Sequence, residues 1–454
     1  MSKTIKLKRG FDINLVGKPE KKISKTVHAD TYALKPSDFP HLSRPKLVVK
    51  EGDKVKAGSP VMFAKESEDV KYVAPVSGEV VEIKRGAKRL VLEIIIKADK
   101  TVSFEEFKSY SVSELAGLSK EDAAVAMQQG GVWPNIIQRP FGVVANPADS
   151  PKAIFISAFD TNPLAADIAF QLNEKEKFFQ VGLDILKKFT NGSVHLNLDS
   201  KGEVAQVFAQ ATGVELNKFS GAHPAGNVGV QIHHLDPINK GDIAWTVSPL
   251  GVAQIGQLFL DGKYDASKLI ALTGSEVSEP SYVQAYAGAQ LGSLIDGQVD
   301  GANLRYISGS PLIGENCGKE GYLGYYHNQV TVIKEGDYEE FLGWLMPSAK
   351  KLSFHKALGL LSFLNRNKEY EVDTNTHGED RPFVVSGEFE KVLPMDILPT
   401  YLFKAILAED YDDMEALGIF ELIEEDVALC EFIDPSKNEL QKILRTGLDL
   451  IRNS

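Results

Sequence analysis

Cysteine is scarce in this sequence of 454 residues, which holds only Cys317 and Cys430. Two thiols cannot build a disulfide framework, and they cannot supply the four thiolates of an ordinary iron–sulfur cluster or a cysteine-only zinc site. Because thiols stay reduced in the cytosol, so low a cysteine content favours that compartment.

Long apolar runs and excess positive charge are also missing. No uncharged apolar stretch approaches the ~20 residues that span a bilayer, and the first residues, MSKTIKLKRGFDINLVG, lack the apolar core of a signal peptide. We therefore expect that other subunits provide the span if the protein works at a membrane. The formal net charge of −12 argues against a nucleic-acid partner, because nucleic-acid affinity depends on clustered Lys and Arg.

The turn-rich stretch VVKEGDKVKAGSPVMFAKESEDVKYVAPVSGEVVEIKRG, residues 48–86, is typical of the biotinyl/lipoyl-like barrel-sandwich hybrid. In carrier proteins this scaffold presents a modified lysine at a hairpin tip. Counting back eight residues from Pro75 places Ser67 at that tip, with Lys65 and Lys71 displaced from it. The sequence thus predicts the scaffold without its chemical handle, and a biotin or lipoyl carrier is a disfavoured alternative.

A different texture begins near Ser113. KAIFISAFD, residues 152–160, is a continuous apolar run typical of a strand buried on both faces. The helical stripe of EKFFQVGLDILKKF follows, then a second strand, SVHLNLD, and an amphipathic helix in GEVAQVFAQATG that ends at Gly213. This alternating order predicts a parallel, Rossmann-like α/β domain.

The remainder of the chain predicts two further units. Beyond about Asp261, a hairpin in KLIALTGSEVSEPSYVQAYAG, a short helix in AQLGSLIDG and a returning strand in NLRYISGSPL give a β-grasp-like order. From about Met395 the sequence is mostly helical.

Two loops of the α/β unit resemble those of the FMN-binding subunit of respiratory complex I and of its counterpart in the Rnf complex. QQGGVWPNIIQRPFG stands where those proteins have a Gly-rich loop ending in Phe-Pro-Thr, and IFISAFDTNPLAAD stands where they have an acidic E-x-E-P turn. Here Trp133-Pro134 replaces Phe-Pro, and residues 160–163 (DTNP) replace the acidic turn. Fewer glycines could approach a phosphate, and the two-carboxylate clamp is gone. We expect a shared fold without bound FMN.

A closer resemblance covers about residues 6–432. KLKRGFDINLVGKP, APVSGEVVEIKRGAKR, QRPFG, IFISAFDTNPLAAD, GAHPAGNVGVQIHHLDPINKGDIAWTVSPLGVAQIGQLF and LPMDILPTYLFKAILAEDYDDMEALGIFELIEEDVALCEF occur in order. Together they identify the chain as a member of the NqrA family, whose members are subunits of the bacterial Na(+)-translocating NADH:quinone oxidoreductase. Where the related Rnf protein has a Cys-rich ferredoxin module, this chain has Cys430 alone.

The resemblance implies a subunit of a sodium-transporting respiratory translocase that oxidises NADH, reduces a quinone and exports Na+. It implies that FAD, FMN, an iron–sulfur cluster and quinone belong in or between other subunits, with no cofactor bound by this chain. The expected partners are those other subunits, chiefly the quinone-handling membrane subunit, with ubiquinone or menaquinone as a possible ligand. The expected location is the cytoplasmic face of the inner membrane. The competing hypothesis is a free-standing FMN-dependent NADH dehydrogenase-type subunit.

The expected fold class is multi-domain α/β plus β. Its predicted parts are an N-terminal arm (1–28), a barrel-sandwich domain (29–100), a Rossmann-like α/β domain (101–258), a β-grasp, SLBB-like domain (259–330) and a C-terminal region (331–454) that is mostly helical from about 395. We expect the arm, residues 3–17, and the barrel-sandwich face to dock on the membrane subunit.

Two short stretches, DTYALKPSDFPH and IIQRPFG, carry side chains suited to a quinone head group, which needs an apolar slot and hydrogen-bond donors. We predict that the first stretch is a loop and that the second lies beside it. The alternative is that their side chains serve domain packing or partner contact. The candidate residues are His28, Tyr32, Phe39, Pro40, Arg139 and Phe141.

Other candidate sites have simpler explanations. His233 and His234, if they lie in a strand, point to opposite faces and cannot easily share a metal ion, and His223 has no Cys or His-x-x-x-His partner nearby. We predict hydrogen-bonded structural histidines, no metal ligands and no catalytic residues. Cys317, in GENCG, has no nucleophile pattern around it and is predicted to be a buried structural thiol.

Overall fold

The computed structural model describes residues 3–42, 44–341, 348, 351–355 and 368–453. The first hundred residues form strands, and their bounds are β1 (Thr4–Lys6), β2 (Ile23–Thr26), β3 (Thr31–Leu34), β4 (Lys46–Leu47), β5 (Lys54–Val55), β6 (Pro60–Ala64), β7 (Ser67–Val73), β8 (Gly78–Arg85) and β9 (Val91–Ala98).

Strands and helices then alternate as α1 (Val112–Ala116), α2 (Lys120–Gln129), β10 (Ile136–Arg139), β11 (Val143–Val144), β12 (Ala153–Ser157), α3 (Ile168–Gln171), α4 (Glu176–Leu186), β13 (Val194–Asp199), α5 (Gln206–Ala209), β14 (Glu215–Ser220), α6 (Val228–Leu235), β15 (Ala244–Val247) and α7 (Pro249–Asp261). The later elements are β16 (Ser267–Thr273), β17 (Ser281–Tyr286), α8 (Leu291–Leu294), β18 (Leu304–Ser308), β19 (Glu315–Asn316), β20 (Gln329–Lys334), α9 (Phe389–Val392), α10 (Pro399–Leu407), α11 (Tyr411–Ala416), α12 (Glu424–Ile433) and α13 (Leu440–Asn453).

The α/β domain contains the parallel sheet that the sequence predicted. Its strand order is β1-β14-β13-β12-β15-β10-β11, and β10 and β11 are antiparallel additions at one edge. Side chains of β12 alternate between two cores: Ile154 and Ile156 join the core that contains α4 and α7, while Phe155 joins the core that contains α6 and the C-terminal helices. Because both faces are covered, the strand reads as one apolar run. The predicted helix before Gly213 is only the single turn α5.

The N-terminal segment is part of two sheets. Strand β1 pairs in parallel with β14 at the edge of the α/β sheet, and β2 pairs in parallel with β17 at the edge of the β-grasp sheet. Between them Leu7, Ile13 and Leu15 are buried in the core shared with the C-terminal helices. The backbone and apolar side chains of residues 3–17 are thus used inside the fold, while Lys6, Lys8 and Arg9 stay exposed, and docking through this arm stays a prediction.

The barrel-sandwich domain consists of the sheets β3-β9-β8-β5 and β4-β6-β7. Ala64 pairs with Ser67 across the β6–β7 hairpin, so its turn consists of Lys65 and Glu66. The prediction that Ser67 occupies this tip is wrong by one to two residues, because two register shifts interrupt the pairing of β6 with β7.

The β-grasp sheet, ordered β19-β18-β20-β16-β17-β2, contains the predicted hairpin β16–β17, the short helix α8 and the returning strand β18. Its strand β20 continues to Lys334, beyond the predicted boundary at residue 330. Helices α10, α12 and α13 of the C-terminal region pack against one another and against the α/β sheet, as the helical pattern after Met395 indicated.

Close contact between α4 and α7 depends on glycine. A Cβ at Gly256 would lie 1.8 Å from the carbonyl oxygen of Phe178, and a Cβ at Gly182 would lie 2.0 Å from that of Val252. We expect Gly256→Ala to lower the free energy of unfolding by about 3 kcal/mol, because backbone atoms must move apart. Urea unfolding followed by circular dichroism checks this.

Gly117→Ala is the matched control, since a Cβ there finds its nearest atom, the carbonyl oxygen of Glu114, at 3.8 Å. We expect this control to change stability by less than about 0.5 kcal/mol. Equal unfolding midpoints for the two variants would contradict the close helix contact.

Candidate functional site

Two of the candidate quinone contacts do not face a common pocket. His28 is exposed after β2. Tyr32 lies in β3 rather than in a loop, is 1% exposed, and its hydroxyl accepts a hydrogen bond from the backbone N–H of Ala29 (3.1 Å). The prediction that Tyr32 lies in a loop is wrong, because its alternating neighbours continue the sheet with β9.

Phe39 lies where three domains meet. Its ring centroid lies 4.4 Å from that of Tyr72 in β7, 4.8 Å from that of Tyr325 and 5.9 Å from that of Tyr326. Tyr264, buried after α7, completes the group. We call these five aromatic residues the tyrosine junction; it joins the barrel-sandwich, α/β and β-grasp domains. The half-buried Pro40 follows Phe39 directly.

Charged side chains lie against one side of the junction. The Nζ of Lys35 lies 3.2 Å from a carboxylate oxygen of Asp38 and 2.7 Å from one of Glu315. Asp38 also accepts a hydrogen bond from the backbone N–H of Tyr325 (3.0 Å). Burial raises the pKa of Asp38 to about 6, against the opposing attraction of Lys35. The pair therefore fixes the β-grasp loop onto the barrel-sandwich domain.

A cavity of about 70 Å³ opens beside the junction. Lys268 lies on its wall and donates hydrogen bonds to the carbonyl oxygens of Tyr325 (2.9 Å) and His327 (2.5 Å). Burial lowers the pKa of Lys268 to about 8, and burial with the nearby charges of Lys268 and Lys35 lowers the pKa of His327 to about 4. A cavity of this volume suits a few water molecules, since pockets for small organic ligands measure roughly 300–1,000 Å³.

A larger cleft of about 1100 Å³ lies between the N-terminal segment and the β-grasp sheet. Ile13, Leu15, Ile307 and Ile333 contribute apolar surface, and Arg305 contributes a guanidinium. None of the six sequence-predicted contacts lines it. The alternating apolar residues of FDINLVG were the available signal for this cleft.

Arg139 has internal partners. Its guanidinium is 1% exposed, and it donates to a carboxylate oxygen of Asp426 (2.9 Å) and to one of Glu425 (2.8 Å) at the start of α12. We call these three residues the carboxylate clasp. A Cβ at Gly229 in α6 would lie 2.4 Å from the Asp426 carboxylate, so glycine at this position leaves room for the clasp. The arrangement ties the C-terminal helices to the α/β domain.

The two acidic residues of the clasp are not equivalent. Asp426 is fully buried and also accepts the backbone N–H of Ile423 (3.0 Å), whereas the Glu425 side chain keeps 30% of its surface exposed. Burial and then the negative charge of Asp426 raise the pKa of Glu425 to about 7, against the attraction of Arg139. Asp426 is therefore the charge that the buried guanidinium requires.

Phe141 and the loop that follows Phe39 share a partner in α13. Arg445 in α13 donates to the carbonyl oxygen of Phe141 (2.8 Å), and its Nη1 lies 3.0 Å from Nε2 of His41. The same guanidinium makes a double contact with the carboxylate of Glu424. His41, which was not among the sequence-predicted contacts, is therefore held against the C-terminal helix α13.

Protein side chains contact the loops that resemble flavin-binding loops. A Cβ at Gly130 would meet Leu258, and one at Gly131 would meet Val73, so these glycines admit apolar side chains of neighbouring elements. Trp133 is fully buried and donates to the carbonyl oxygen of Ala145 (2.7 Å).

The DTNP turn, residues 160–163, is hydrogen-bonded within the protein. A carboxylate oxygen of Asp160 accepts the backbone N–H of Asn162 (2.7 Å). The hydroxyl of Thr161 lies 3.1 Å from Nδ1 of the buried His223 and accepts the N–H of Gly226 (3.0 Å). The predicted structural role of His223 agrees with these contacts.

His233 and His234 lie in helix α6, so their assignment to a strand is wrong. Nδ1 of His233 lies 2.7 Å from the Glu421 carboxylate, and Nε2 accepts the N–H of Asp396 (3.0 Å). Nε2 of His234 donates to the carbonyl oxygen of Pro394 (2.8 Å). Both imidazoles thus connect α6 to the C-terminal region, which agrees with a hydrogen-bonded structural role.

The thiols differ in burial. Cys430 is fully buried in α12, while Cys317 is half-buried, and burial raises the pKa of Cys317 to about 11. Within the ranges that the structure describes, no group of three or more His, Cys, Asp or Glu side chains could hold a metal ion. Across the same residues, no helix has the length and apolar character needed to cross a bilayer.

Sequence-family models match three parts of the chain. Residues 5–99 match the NqrA N-terminal barrel-sandwich hybrid domain, residues 118–264 the NqrA second alpha/beta domain, and residues 269–319 the NQRA C-terminal domain. These matches agree with the barrel-sandwich and α/β domains and with the start of the β-grasp unit.

Curated relatives match nearly the whole chain. The NqrA subunit of the Na(+)-translocating NADH-quinone reductase of Vibrio parahaemolyticus is 36% identical over 98% of this chain and 99% of its own length, and that of Marinomonas sp. is 37% identical with the same coverage. Among solved structures, an air-oxidized NAD+-reducing [NiFe]-hydrogenase gives a TM-score of 0.38 at 12% identity, over 78% of this chain and 67% of that chain. That likeness is too weak to bear on fold or function.

The clasp generates a stability prediction. We expect Asp426→Asn to lower the free energy of unfolding by about 3 kcal/mol, because it leaves the buried guanidinium of Arg139 without its enclosed negative partner. Urea unfolding, together with hydrogen exchange of α12, measures the loss and its location.

Glu425→Gln is the control. The negative charge of Glu425 is disfavoured in the folded wild type. The contribution of Glu425 to the free energy of unfolding therefore falls as pH rises from about 4.5 to about 7. We expect the glutamine variant to remove that fall and to cost less than Asp426→Asn at neutral pH. Equal losses for the two variants would contradict the assigned division of roles.

Lys268 generates a pH prediction. Its folded pKa of about 8 lies below the unfolded value of 10.5, so the unfolded chain binds more protons between these pH values and stability from this group rises with pH there. We expect this gain to reach about 3 kcal/mol at most in the wild type and to be absent from Lys268→Met. Urea unfolding of both proteins at pH 7.5, 8.5 and 9.5 checks it; parallel pH profiles would contradict the shift.

Proposed function

The chain belongs to the NqrA family, whose members are subunits of the Na(+)-translocating NADH-quinone reductase, an enzyme complex, and from this membership we propose that it docks on the quinone-handling membrane subunit from the cytoplasmic face of the inner membrane. The observation that carries the proposal is the match of 98% of this chain to 99% of the curated relatives. A match of that extent includes the barrel-sandwich, α/β and β-grasp domains together with the C-terminal helices.

We propose that this chain contributes scaffold rather than redox chemistry to its complex. The glycines that resemble a flavin loop receive Leu258 and Val73, and the turn at residues 160–163 is hydrogen-bonded within the protein. FAD, FMN, the iron–sulfur cluster and the quinone-reducing step would then belong in or between the other subunits. The competing hypothesis of a free-standing FMN-dependent NADH dehydrogenase-type subunit needs those loops to open.

Quinone contact is a second candidate role, favoured by the volume of the cleft beside the β-grasp sheet. Its 1100 Å³ could take a ubiquinone or menaquinone head group, and Arg305 could donate a hydrogen bond there. The 70 Å³ cavity at the tyrosine junction could not take such a head group unless it opened. Of the sequence-predicted contacts, His28, Pro40 and Phe141 remain proposed for partner contact, because Tyr32, Phe39 and Arg139 are buried against internal partners.

A co-purification experiment tests the docking role. We expect the tagged chain to retain the membrane subunits from detergent extracts, and we expect the chain purified alone to be colourless. A flavin absorbance near equimolar with the protein would support the flavoenzyme hypothesis instead. An intact mass increased by biotin or lipoate would revive the carrier hypothesis at Lys65, and photoreactive quinone labelling of cleft peptides would support the second role.

A further inference from the structure

The β8–β9 hairpin ends in a basic tip. Lys84, Arg85, Lys88 and Arg89 are all exposed within six consecutive residues. In the described part of the chain, only Lys84 of this set pairs with a carboxylate, that of Glu93 at 3.1 Å. Arg85 instead donates to the carbonyl oxygen of Arg89 (3.2 Å), which holds the tip together. Uncompensated positive charge is therefore concentrated at one projecting point of a chain whose net charge is −12.

The turn itself is unusual for its sequence. The N–H of Leu90 donates to the carbonyl oxygen of Ala87 (3.1 Å), and the two central residues, Lys88 and Arg89, both have left-handed backbone conformations, with φ of 52° and 61°. Such a type I′ turn favours Asn-Gly, because residues with a Cβ pay a steric cost there. This sequence has Lys88 and Arg89 at the two positions where local stability favours Asn and Gly. Backbone strain of this kind is typical of functional positions.

Apolar side chains surround the basic residues. Val81, Leu90 and Leu92 of the same hairpin are 42%, 43% and 38% exposed, and Leu92 lies over the turn, within 3.2 Å of where a Cβ of Gly86 would be. Protein interfaces commonly combine an apolar centre with charged and polar groups around it. The hairpin thus offers both apolar contact and a fixed pattern of positive charge.

We propose that this basic tip is the element through which the chain docks on a protein surface of the membrane subunit that has an apolar centre and an acidic rim. This inference rests on the proposed function and names its contact surface. The overall negative charge of the chain repels an acidic partner, while the tip attracts it, so the tip sets the orientation of docking.

An anionic lipid surface is the other class of partner for basic and apolar side chains. A fluid lipid surface gains nothing from a fixed, strained turn, because lipids rearrange around any exposed lysine or arginine. The pre-organised turn therefore favours a protein partner with fixed carboxylates.

Site-specific cross-linking in the assembled complex tests the contact. We would place a photoreactive amino acid at Ala87 and, as a matched control, at Glu66 in the turn of the β6–β7 hairpin of the same domain. We expect a protein cross-link to a membrane subunit from position 87 and none from position 66. Cross-links from 87 to lipid alone, or from both positions equally, would overturn the proposal.

Charge variants give an independent measurement. We expect Lys88→Glu with Arg89→Glu to reduce the co-purifying membrane subunits at least tenfold, with Lys65→Glu as the control that retains them. Lys88→Asn with Arg89→Gly restores the preferred turn, so this variant should unfold at no lower temperature than the wild type and still lose the partner. Full retention by both double variants would overturn the proposal.

The outcomes for the two hypotheses can be told apart. If the wild-type chain does not retain the membrane subunits, the proposed function fails and takes this inference with it. If the wild type retains them and the double variants do also, the function stands and the basic tip is not its contact.

Discussion

The buried pairing of Arg139 with Asp426 determines where the C-terminal region lies. A guanidinium does not lose its proton at physiological pH, so once it is enclosed it needs a carboxylate at hydrogen-bond distance. That carboxylate comes from the first turn of α12, and Gly229 in α6 leaves the space for it. The C-terminal helices consequently cover the second face of the parallel sheet. Phe155 in β12 is buried for this reason, and the strand needs apolar side chains on both faces.

Local periodicity was sufficient to predict the elements that bury apolar surface. The run around β12, the stripe of α4 and the hairpin β16–β17 all appear where the sequence places them. Periodicity gave wrong predictions where the strand pairing was irregular or the segment was short. Register shifts between β6 and β7 moved the tip to Lys65 and Glu66, and an apolar segment as short as VGVQIHHL does not distinguish a helix from a strand, which misplaced His233 and His234.

The site could be predicted only in part, since its contacts join distant parts of the chain. The sequence identified Phe39, Arg139 and Phe141 as noteworthy side chains, and all three lie at domain boundaries. Arg139 and Phe141 find partners 287 and 304 positions away, and no spacing rule connects such positions. The prediction that Tyr32 lies in a loop failed for a different reason. DTYAL alternates polar and apolar residues as a strand does, but the polar residues around it concealed this strand. The hydroxyl of Tyr32 is hydrogen-bonded to the backbone of Ala29.

The barrel-sandwich domain uses its two projecting hairpins differently. The tip of β6–β7 carries Lys65 and Glu66, which have opposite charges. Its charge is therefore balanced within the chain. The tip of β8–β9 carries Arg85, Lys88 and Arg89, and Arg85 donates a hydrogen bond to the backbone of the tip itself. In carrier proteins this scaffold presents one side chain at a hairpin tip. In this chain the same scaffold presents positive charge at the tip of a different hairpin, and the strained turn fixes the direction of that charge.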